Sequence, residues 1–218
     1  MTALPMLPLN FLGSRSHIRG AELLEVFLRA IAQAKPDLVP TFVASFKMQR
    51  PVTRQGCWLL GPDEEGSASA TLDFLDSQGQ PQQARFLANG PFVTGRIDAP
   101  PPPVTAVYPG ADFSGEAELV PGLSAYGFIN GVVEANKALH QATLASQGLL
   151  TPEIRLVYLE RCPLTSPCGE GDRPLLLFRN RSLRRIGGVD YTLSQVTWPG
   201  QDGPPAVICF NFLQQEAP

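Results

Sequence analysis

The sequence is short of charge, of paired cysteines and of long apolar runs, and each shortage excludes a class of protein. Charged side chains make up 17% of the 218 residues and the formal net charge is −3, so we expect no nucleic-acid surface. The four cysteines form no C-x-x-C pair. We therefore expect no metal site and interpret Cys57, Cys162, Cys168 and Cys209 as reduced packing thiols. No apolar run approaches the ~18 residues that span a bilayer. The N-terminus MTALPMLPLNFLG has no basic region, which argues against a secretory signal and favours a cytoplasmic location.

The hydrophobic content of 44% is enough for one large domain or two small ones, and an internal repeat favours two. The stretch Gly122–Leu150, moved back by 111 residues, falls on His17–Val39. The matches are Ile129 with Ile18, Gly131 with Gly20, Leu139 with Leu28, Ala145 with Ala34, and Leu149 with Leu38. Further along, the offset becomes 121. Because the matches keep their order, we predict an internal duplication.

Each half reads as a lead-in strand, a helix and then four strands. Apolar residues at Leu24, Phe27, Leu28 and Ile31 predict a helix over about 20–35, which Pro36 ends. The second helix is predicted over about 129–146. The predicted strands are 5–12, 41–48, 55–60, 67–75, 83–88, 117–120, 153–160, 175–180, 191–198 and 206–212. The segments TSPCGEGDRP and RSLRRIGG between them read as loops.

Between the halves lies a proline-rich segment. Pro100–Pro103 cannot donate to a strand ladder and favour a stiff, extended connection. We therefore predict a first repeat over 1–92, a linker over 93–112 and a second repeat over 113–218.

Three motifs carry a resemblance to a known fold family: FKMQRPVTRQG after the first helix, and HIRGAELLEVFL and FINGVVEANKAL at the helix starts. Together with the helix-then-strands order, they resemble the hotdog fold, in which a sheet wraps a long helix. Two copies in one chain resemble a double hotdog. The predicted fold is therefore α+β, with two tandem helix-plus-antiparallel-sheet repeats sharing one continuous sheet. The alternative is an unrelated α+β domain with two helices packed on one sheet.

The resemblance implies an acyl thioester of coenzyme A or acyl carrier protein as ligand, bound between the two central helices, and no cofactor. A helix N-terminus offers unpaired N–H groups and a partial positive charge, which polarise a thioester carbonyl. Gly20 and Gly131 are predicted at the two helix starts, where a missing Cβ lets a carbonyl approach. The alternative is that each glycine only begins its helix.

The resemblance also supplies catalytic candidates. His17, three residues before Gly20, is the predicted general acid/base, and Phe128 is its counterpart in the second half. Glu25 and Asn136 occupy one position in the repeat alignment, as a candidate carboxylate and its neutral counterpart. Structural roles for all of these residues remain open.

The family pattern breaks in two respects. In hotdog dimers the turn of one half faces the helix of the other, which pairs His17 with Asn136 and Glu25 with Phe128 and Tyr126, and neither combination is the histidine-plus-carboxylate of a dehydratase. The first half also lacks the aspartate that many hotdog thioesterases carry just before the helix. Tyr126 is therefore added as a candidate proton donor and Asn130 as a candidate substrate-binding residue.

An arginine cluster lies in the second half, where the repeat has extra residues: Arg173, Arg179, Arg181, Arg184 and Arg185. Arg181, Arg184 and Arg185 are the predicted contacts to coenzyme A phosphates or to an acidic carrier protein. A solvated hairpin tip is the alternative.

Two functions remain open from the sequence. The first is an enzyme of acyl thioesters, an acyl-thioester hydrolase or a hydroxyacyl dehydratase of lipid metabolism. The second is a non-catalytic acyl-binding or assembly subunit of a fatty-acid or polyketide type of pathway. In either case the expected partner is acyl-CoA or acyl carrier protein. Whether the chain forms a homodimer is left open.

Overall fold

A computed structural model describes residues 2–63, 66–150, 153–164, 173–213 and 215–216. The chain divides into two compact units, Met1–Pro101 and Pro102–Pro218. Cys168 and most of the TSPCGEGDRP segment lie outside the described residues.

The first unit contains one long helix and seven strands. In chain order its elements are β1 Thr2–Ala3, β2 Phe11–Leu12, α1 Gly20–Ala34, β3 Phe42–Met48, β4 Cys57–Leu60, β5 Ala70–Leu75, β6 Pro81–Leu87 and β7 Arg96–Ile97. The sheet order is β1-β4-β6-β5-β3, and all of its pairings are antiparallel. The short strands β2 and β7 form a separate parallel pair.

Helix α1 begins and ends where local chemistry requires. The Glu22 carboxylate accepts from the Arg19 backbone N–H at 3.4 Å and forms an ion pair with the Arg19 guanidinium, which satisfies groups of the first turn. The Lys35 N–H donates to the Ile31 carbonyl at 2.7 Å, and Pro36 follows. The predicted helix over about 20–35 is confirmed.

The apolar face of α1 is buried in an aromatic cluster. The Phe27 ring meets Trp58 edge-on at 4.9 Å and Phe74 at 5.3 Å between centroids, and Trp58 meets Phe86 at 5.6 Å. On β5 the burial alternates, so that Ala70, Leu72 and Phe74 are buried and their neighbours are half-buried. The interior of this unit is thus largely hydrocarbon and aromatic.

The second unit repeats the order of elements with longer pieces. They are β8 Val104–Pro109, β9 Gly115–Leu119, α2 Ala125–Ser146, β10 Leu149–Leu150, β11 Ile154–Pro163, β12 Leu175–Ile186, β13 Val189–Thr197, β14 Ala206–Phe212 and β15 Gln215–Glu216. The sheet order is β11-β14-β13-β12-β9-β8. The predicted meander is present here, since β12, β13 and β14 are neighbours in chain order. In the first unit the order is β4-β6-β5 instead, so β5 and β6 have exchanged places relative to a meander.

Two elements of the second unit differ from prediction. Helix α2 begins at Ala125, four residues early, because the Ser124 hydroxyl accepts from the Gly127 N–H at 3.2 Å and caps it. The RSLRRIGG segment, predicted as a loop, is mostly strand: β12 runs to Ile186 and pairs with β13 across a Gly187-Gly188 turn. Both glycines have positive φ, 57° and 82°, as a tight two-residue hairpin requires.

The α+β class is confirmed, because each unit has one long helix and an antiparallel sheet among its described residues. Residues 93–112, predicted as a linker, include β7 and β8. No helix of the described residues is long and apolar enough to cross a membrane.

Replacing Phe27 by Ala tests the aromatic core of the first unit. We expect the free energy of unfolding in urea to fall by about 3–5 kcal/mol, since the change removes a fully buried ring and leaves a cavity. Arg29→Ala, an exposed position on the same helix, is the matched control and should change it little. A Phe27→Ala protein as stable as the control would contradict this packing.

Candidate functional site

The second unit buries a set of polar side chains on one face of α2. Asn136, His140 and Thr143 stand at i, i+4 and i+7, which places them on one side of the helix. Their exposed fractions are 0%, 0% and 5%. Thr192 and Ser194 of β13 are also buried, at 1% and 0% exposure, on alternate positions of that strand. We call these five residues the polar core.

His140 is the centre of the polar core. Its Nδ1 lies 2.7 Å from the Asn136 backbone carbonyl, and its Nε2 lies 2.7 Å from the Thr192 hydroxyl. A carbonyl only accepts, so Nδ1 carries the proton and donates. Nε2 then accepts from the Thr192 O–H. Both ring nitrogens are therefore occupied when the imidazole is neutral.

Aromatic rings enclose His140 and keep it neutral. Phe113 stacks on the imidazole at 4.8 Å, and Phe210 and Phe212 approach edge-on at 5.7 Å. Burial in this environment lowers the pKa of His140 from 6.5 to about 4, against the opposing effect of the bond to the Asn136 carbonyl. His140 is thus uncharged at neutral pH.

Several polar atoms around His140 have no hydrogen-bond partner among the described residues. These are both amide atoms of Asn136 and the hydroxyl oxygens of Thr143 and Ser194. The Asn180 Oδ1, on the residue that pairs with Ser194 across the sheet, is in the same condition. Buried polar groups are almost always satisfied, by protein or by ordered water, so each of these atoms calls for a polar partner.

The burial pattern corrects the repeat alignment of the two helices. With an offset of 112, buried positions coincide: Leu24 with Asn136, Phe27 with Leu139, and Ile31 with Thr143. At the predicted offset of 111, the exposed Arg29 would match the fully buried His140. By burial, Asn136 is therefore the counterpart of Leu24, and Glu25 matches the half-buried Lys137.

In the first unit, His17 is buried with 8% exposure in the turn before α1. The next residue, Ile18, forms a β-bridge with Val52, its N–H donating to the Val52 carbonyl at 2.8 Å. Glu25 is half-exposed, and among the described residues nothing forms an ion pair or hydrogen bond with its carboxylate. The buried carboxylate of α1 belongs to Glu22. Burial raises its pKa, and the Arg19 guanidinium opposes part of this rise. The assignments of His17 and Glu25 stay predictions.

The two glycines of the site hypothesis differ in position. Gly20 is the first residue of α1, as predicted. Gly131, predicted at a helix start, lies six residues inside α2 because that helix begins at Ala125. A Cβ on Gly131 would come 2.7 Å from Leu119 Cδ1, so the glycine allows α2 to pack closely on β9. Packing explains Gly131 without a ligand.

The remaining candidates of α2 lie in its first two turns. Tyr126 is half-buried, and Asn130 is 6% exposed with its Oδ1 unpaired among the described residues. Phe128, the predicted counterpart of His17, lies inside the helix and meets Trp198 edge-on at 5.5 Å. His140 was not a candidate, although its i+4 spacing from Asn136 on the buried stripe was a signal that could have identified it.

The arginine cluster is spread over β12 and its approach. Arg185 forms a two-bond pair with the buried Asp190, at 2.9 and 2.7 Å, which raises the pKa of Arg185. Arg181 Nε donates to Gln195 Oε1 at 2.6 Å, and Arg173 approaches Glu118 at 3.7 Å. Arg184 is exposed. The roles of Arg181, Arg184 and Arg185 in substrate binding stay predictions.

The described residues contain no cluster of His, Cys, Asp or Glu able to hold a metal ion. Cys57, Cys162 and Cys209 are free thiols. Burial raises the pKa of Cys162 to about 12 and that of Cys209 to about 11, so neither forms a thiolate readily at neutral pH.

One solved structure matches the fold along nearly the whole chain, and others resemble it more distantly. A Lactobacillus plantarum protein described as an oleoyl thioesterase matches with a TM-score of 0.51 at 9% identity, over 98% of each chain. A tesB protein from Mycobacterium avium subspecies paratuberculosis has a TM-score of 0.46 at 11% identity, over 94% of this chain and 91% of that one. A dehydratase domain of the curacin polyketide synthase has a TM-score of 0.46 at 8% identity, over 94% and 86%. No family model and no curated protein matches the sequence. The fold is a double hotdog, as predicted.

The buried imidazole predicts a specific dependence of stability on pH. The unfolded chain protonates His140 near pH 6.5, whereas the folded chain resists protonation until about pH 4. The free energy of unfolding should therefore fall as the pH is lowered from 6.5 to 4, and this group should account for roughly 3 kcal/mol of the loss. His140→Gln, which does not titrate, should show a flatter decline in urea unfolding from pH 7 to pH 4.5. Identical slopes would show that His140 does not remain neutral in the fold.

The Arg185–Asp190 pair predicts unequal roles for two adjacent arginines. Arg185→Gln leaves the Asp190 carboxylate buried without its partner, and we expect a lower melting temperature. Arg184→Gln, at the neighbouring exposed position, is the control and should melt like the wild type. Equal melting temperatures for the two variants would show that the Arg185–Asp190 pair does not stabilise the fold.

Proposed function

We propose that this chain processes acyl thioesters of coenzyme A or acyl carrier protein, by a thioesterase-like or dehydratase-like reaction. The double hotdog fold supports the substrate class, because a solved structure that matches along nearly the whole chain is described as an oleoyl thioesterase. The polar core of the second unit supports a specific location. Its buried Asn136 amide, with neither atom paired among the described residues, is the observation that carries the proposal.

The Asn136 amide has the chemistry that a thioester requires. Its N–H groups would donate to the thioester carbonyl, or to the oxyanion or enolate that develops from it, in a site shielded from water. Its Oδ1 would accept from a substrate hydroxyl or an attacking water. The Phe113, Phe210 and Phe212 rings pack on His140, one helical turn from Asn136, and such apolar surroundings strengthen hydrogen bonds.

His140 acts in this proposal as a positioning residue. The Nδ1–H of His140 donates to the Asn136 backbone carbonyl, and the Thr192 hydroxyl donates to Nε2. These two hydrogen bonds stabilise the helical turn that carries the Asn136 amide. Within the second unit, Tyr126 is the candidate proton donor and Asn130 would complete substrate binding. His17, Glu25 and Gly20 lie in the first unit, and their roles in proton transfer and substrate binding stay predictions.

A non-catalytic acyl-binding subunit is the second candidate, and one observation favours it. The polar core contains no carboxylate, and its only titratable group, His140, is neutral at pH 7 with both nitrogens bonded. Such a core binds a polar group without transferring a proton.

Asn136 variants separate the two candidates. An enzyme should release thiol from, or dehydrate, members of a panel of acyl-CoA and acyl-carrier substrates. Asn136→Ala should then lower kcat/KM by about 10²–10³, as expected for a lost oxyanion donor. Gln141→Ala, an exposed position on the same helix, is the control.

Each further outcome has one meaning. Binding of acyl-CoA without turnover, weakened by Asn136→Ala, would support the non-catalytic subunit. Turnover that Asn136→Ala leaves unchanged, but His17→Ala abolishes, would move the site away from the polar core. Neither binding nor turnover of any thioester would end the proposal.

A further inference from the structure

A cleft of about 420 Å³ lies in the first unit, and two arginines line it. Arg50 and Arg54 are accompanied by the polar side chains Thr53, Ser67, Ser69 and Asn89. None of the described residues that line this arginine cleft carries a carboxylate. In a chain of net charge −3, the cleft is a local concentration of positive charge and hydrogen-bond donors.

Both guanidinium groups are held in place by the protein. Arg50 donates to the Ser67 carbonyl and, at 3.3 Å, to the Ala68 carbonyl. Arg54 Nη1 donates to the Gly90 carbonyl at 3.3 Å, and its guanidinium lies 4.0 Å above the Phe92 ring. Each arginine has five N–H donors, and these contacts use only part of them. The donors left over are therefore oriented before a ligand arrives, which lowers the entropy lost on binding.

The backbone beneath the cleft is rigid. The Gln55 N–H donates to the Pro91 carbonyl at 2.8 Å, and the Gly90 N–H returns to the Gln55 carbonyl at 2.9 Å. A Cβ on Gly90 would come 2.9 Å from the Gln55 carbonyl oxygen, so only glycine allows this close approach. The Val93 N–H adds a bond to the Thr53 carbonyl at 2.9 Å.

The cleft is tied to the turn that carries His17. Val52 lies between the cleft residues Pro51 and Thr53 and forms the β-bridge with Ile18, the residue after His17. A ligand held by Arg50 and Arg54 would therefore be anchored on the segment that fixes this predicted acid/base residue. The connection lies wholly within the first unit.

We propose that the arginine cleft binds a phosphate ester, the phosphorylated handle that carries the acyl group. Guanidinium groups bind phosphate through paired, charge-assisted hydrogen bonds, and the hydroxyl and amide side chains supply neutral donors. This proposal rests on the proposed function for the identity of the ligand. The cleft is a different site from the arginines of β12, where Arg185 and Arg181 already bond to Asp190 and Gln195.

Calorimetric titration with phosphate esters that carry no acyl chain tests the cleft without requiring turnover. Adenosine 3′,5′-bisphosphate represents coenzyme A, and 4′-phosphopantetheine represents a carrier protein; the tighter ligand identifies the source. We expect Arg50→Gln and Arg54→Gln each to weaken the preferred ligand at least ~tenfold, since a hydrogen bond to a charged group contributes about that much. The wild-type affinity should fall with added salt.

Further variants separate the cleft from other arginines. Arg29→Gln removes an exposed arginine of the same unit and, as the matched control, should bind like the wild type. The double variant Arg179→Gln, Arg184→Gln removes two arginines of β12 and tests the competing predicted phosphate contacts there, since affinity lost in this protein alone would assign the phosphate to β12. Arg50→Lys keeps the positive charge but lacks the planar guanidinium. It is compared with Arg50→Gln so that the effect of losing the Ser67 and Ala68 contacts is not mistaken for the loss of a ligand contact. Thermal melting of each variant confirms folding.

The two proposals fail separately. If acyl-CoA is turned over, Arg50→Gln and Arg54→Gln should raise its KM and leave the KM for the same acyl-pantetheine, which has no phosphate, unchanged. Bisphosphate binding without any turnover would retain the cleft and reject the enzyme. The proposal is overturned if neither phosphate ester binds, if inorganic sulfate binds equally well, or if only the β12 double variant loses affinity.

Discussion

A helix buried against one face of an antiparallel sheet must present side chains that need no water, and both units depend on this constraint. The first unit meets it with hydrocarbon, placing Phe27 among Trp58, Phe74 and Phe86. The second meets it with a hydrogen-bonded imidazole, since His140 is shared between α2 and Thr192 of β13. The price of the second solution is a polar interior that remains only partly satisfied among the described residues.

Hydrophobic periodicity was enough to predict both helices and most of the strands, because burial of one face is a local property of the sequence. The residue-level alignment of the units is less certain from sequence, because helix α2 begins at Ala125, where the Ser124 hydroxyl caps it. A shift of one residue on a helix turns a side chain by about 100°, which separates the half-buried Glu25 position from the fully buried Asn136 position. Burial therefore favours Leu24 as the counterpart of Asn136, and the pairing of Asn136 with Glu25 stays a prediction.

The candidate site was predictable in part. Asn136 was identified from its place in an apolar stripe, and burial supports that reasoning. His140 was passed over because the partner that satisfies it, Thr192, is 52 residues away in sequence. The segment that contains the β12 arginines was predicted as a loop, because the charge pattern alone does not reveal the hairpin whose turn is Gly187-Gly188. Arg185 is bound to Asp190 across that hairpin, a contact fixed by strand register.

The proposed function requires that the Asn136 amide bind the acyl-thioester group. This binding is best followed by the NMR signal of the Asn136 side-chain NH₂ group in ¹⁵N-labelled protein, assigned by its loss in Asn136→Ala. A non-hydrolysable ketone analogue of acyl-CoA, in which CH₂ replaces the thioester sulfur and the carbonyl keeps its position, would be titrated to saturation. We expect a large shift of this signal and slower exchange of its protons, because a new acceptor engages an amide that is unpaired among the described residues. A ligand that binds at saturation and leaves this signal unchanged would contradict this expectation.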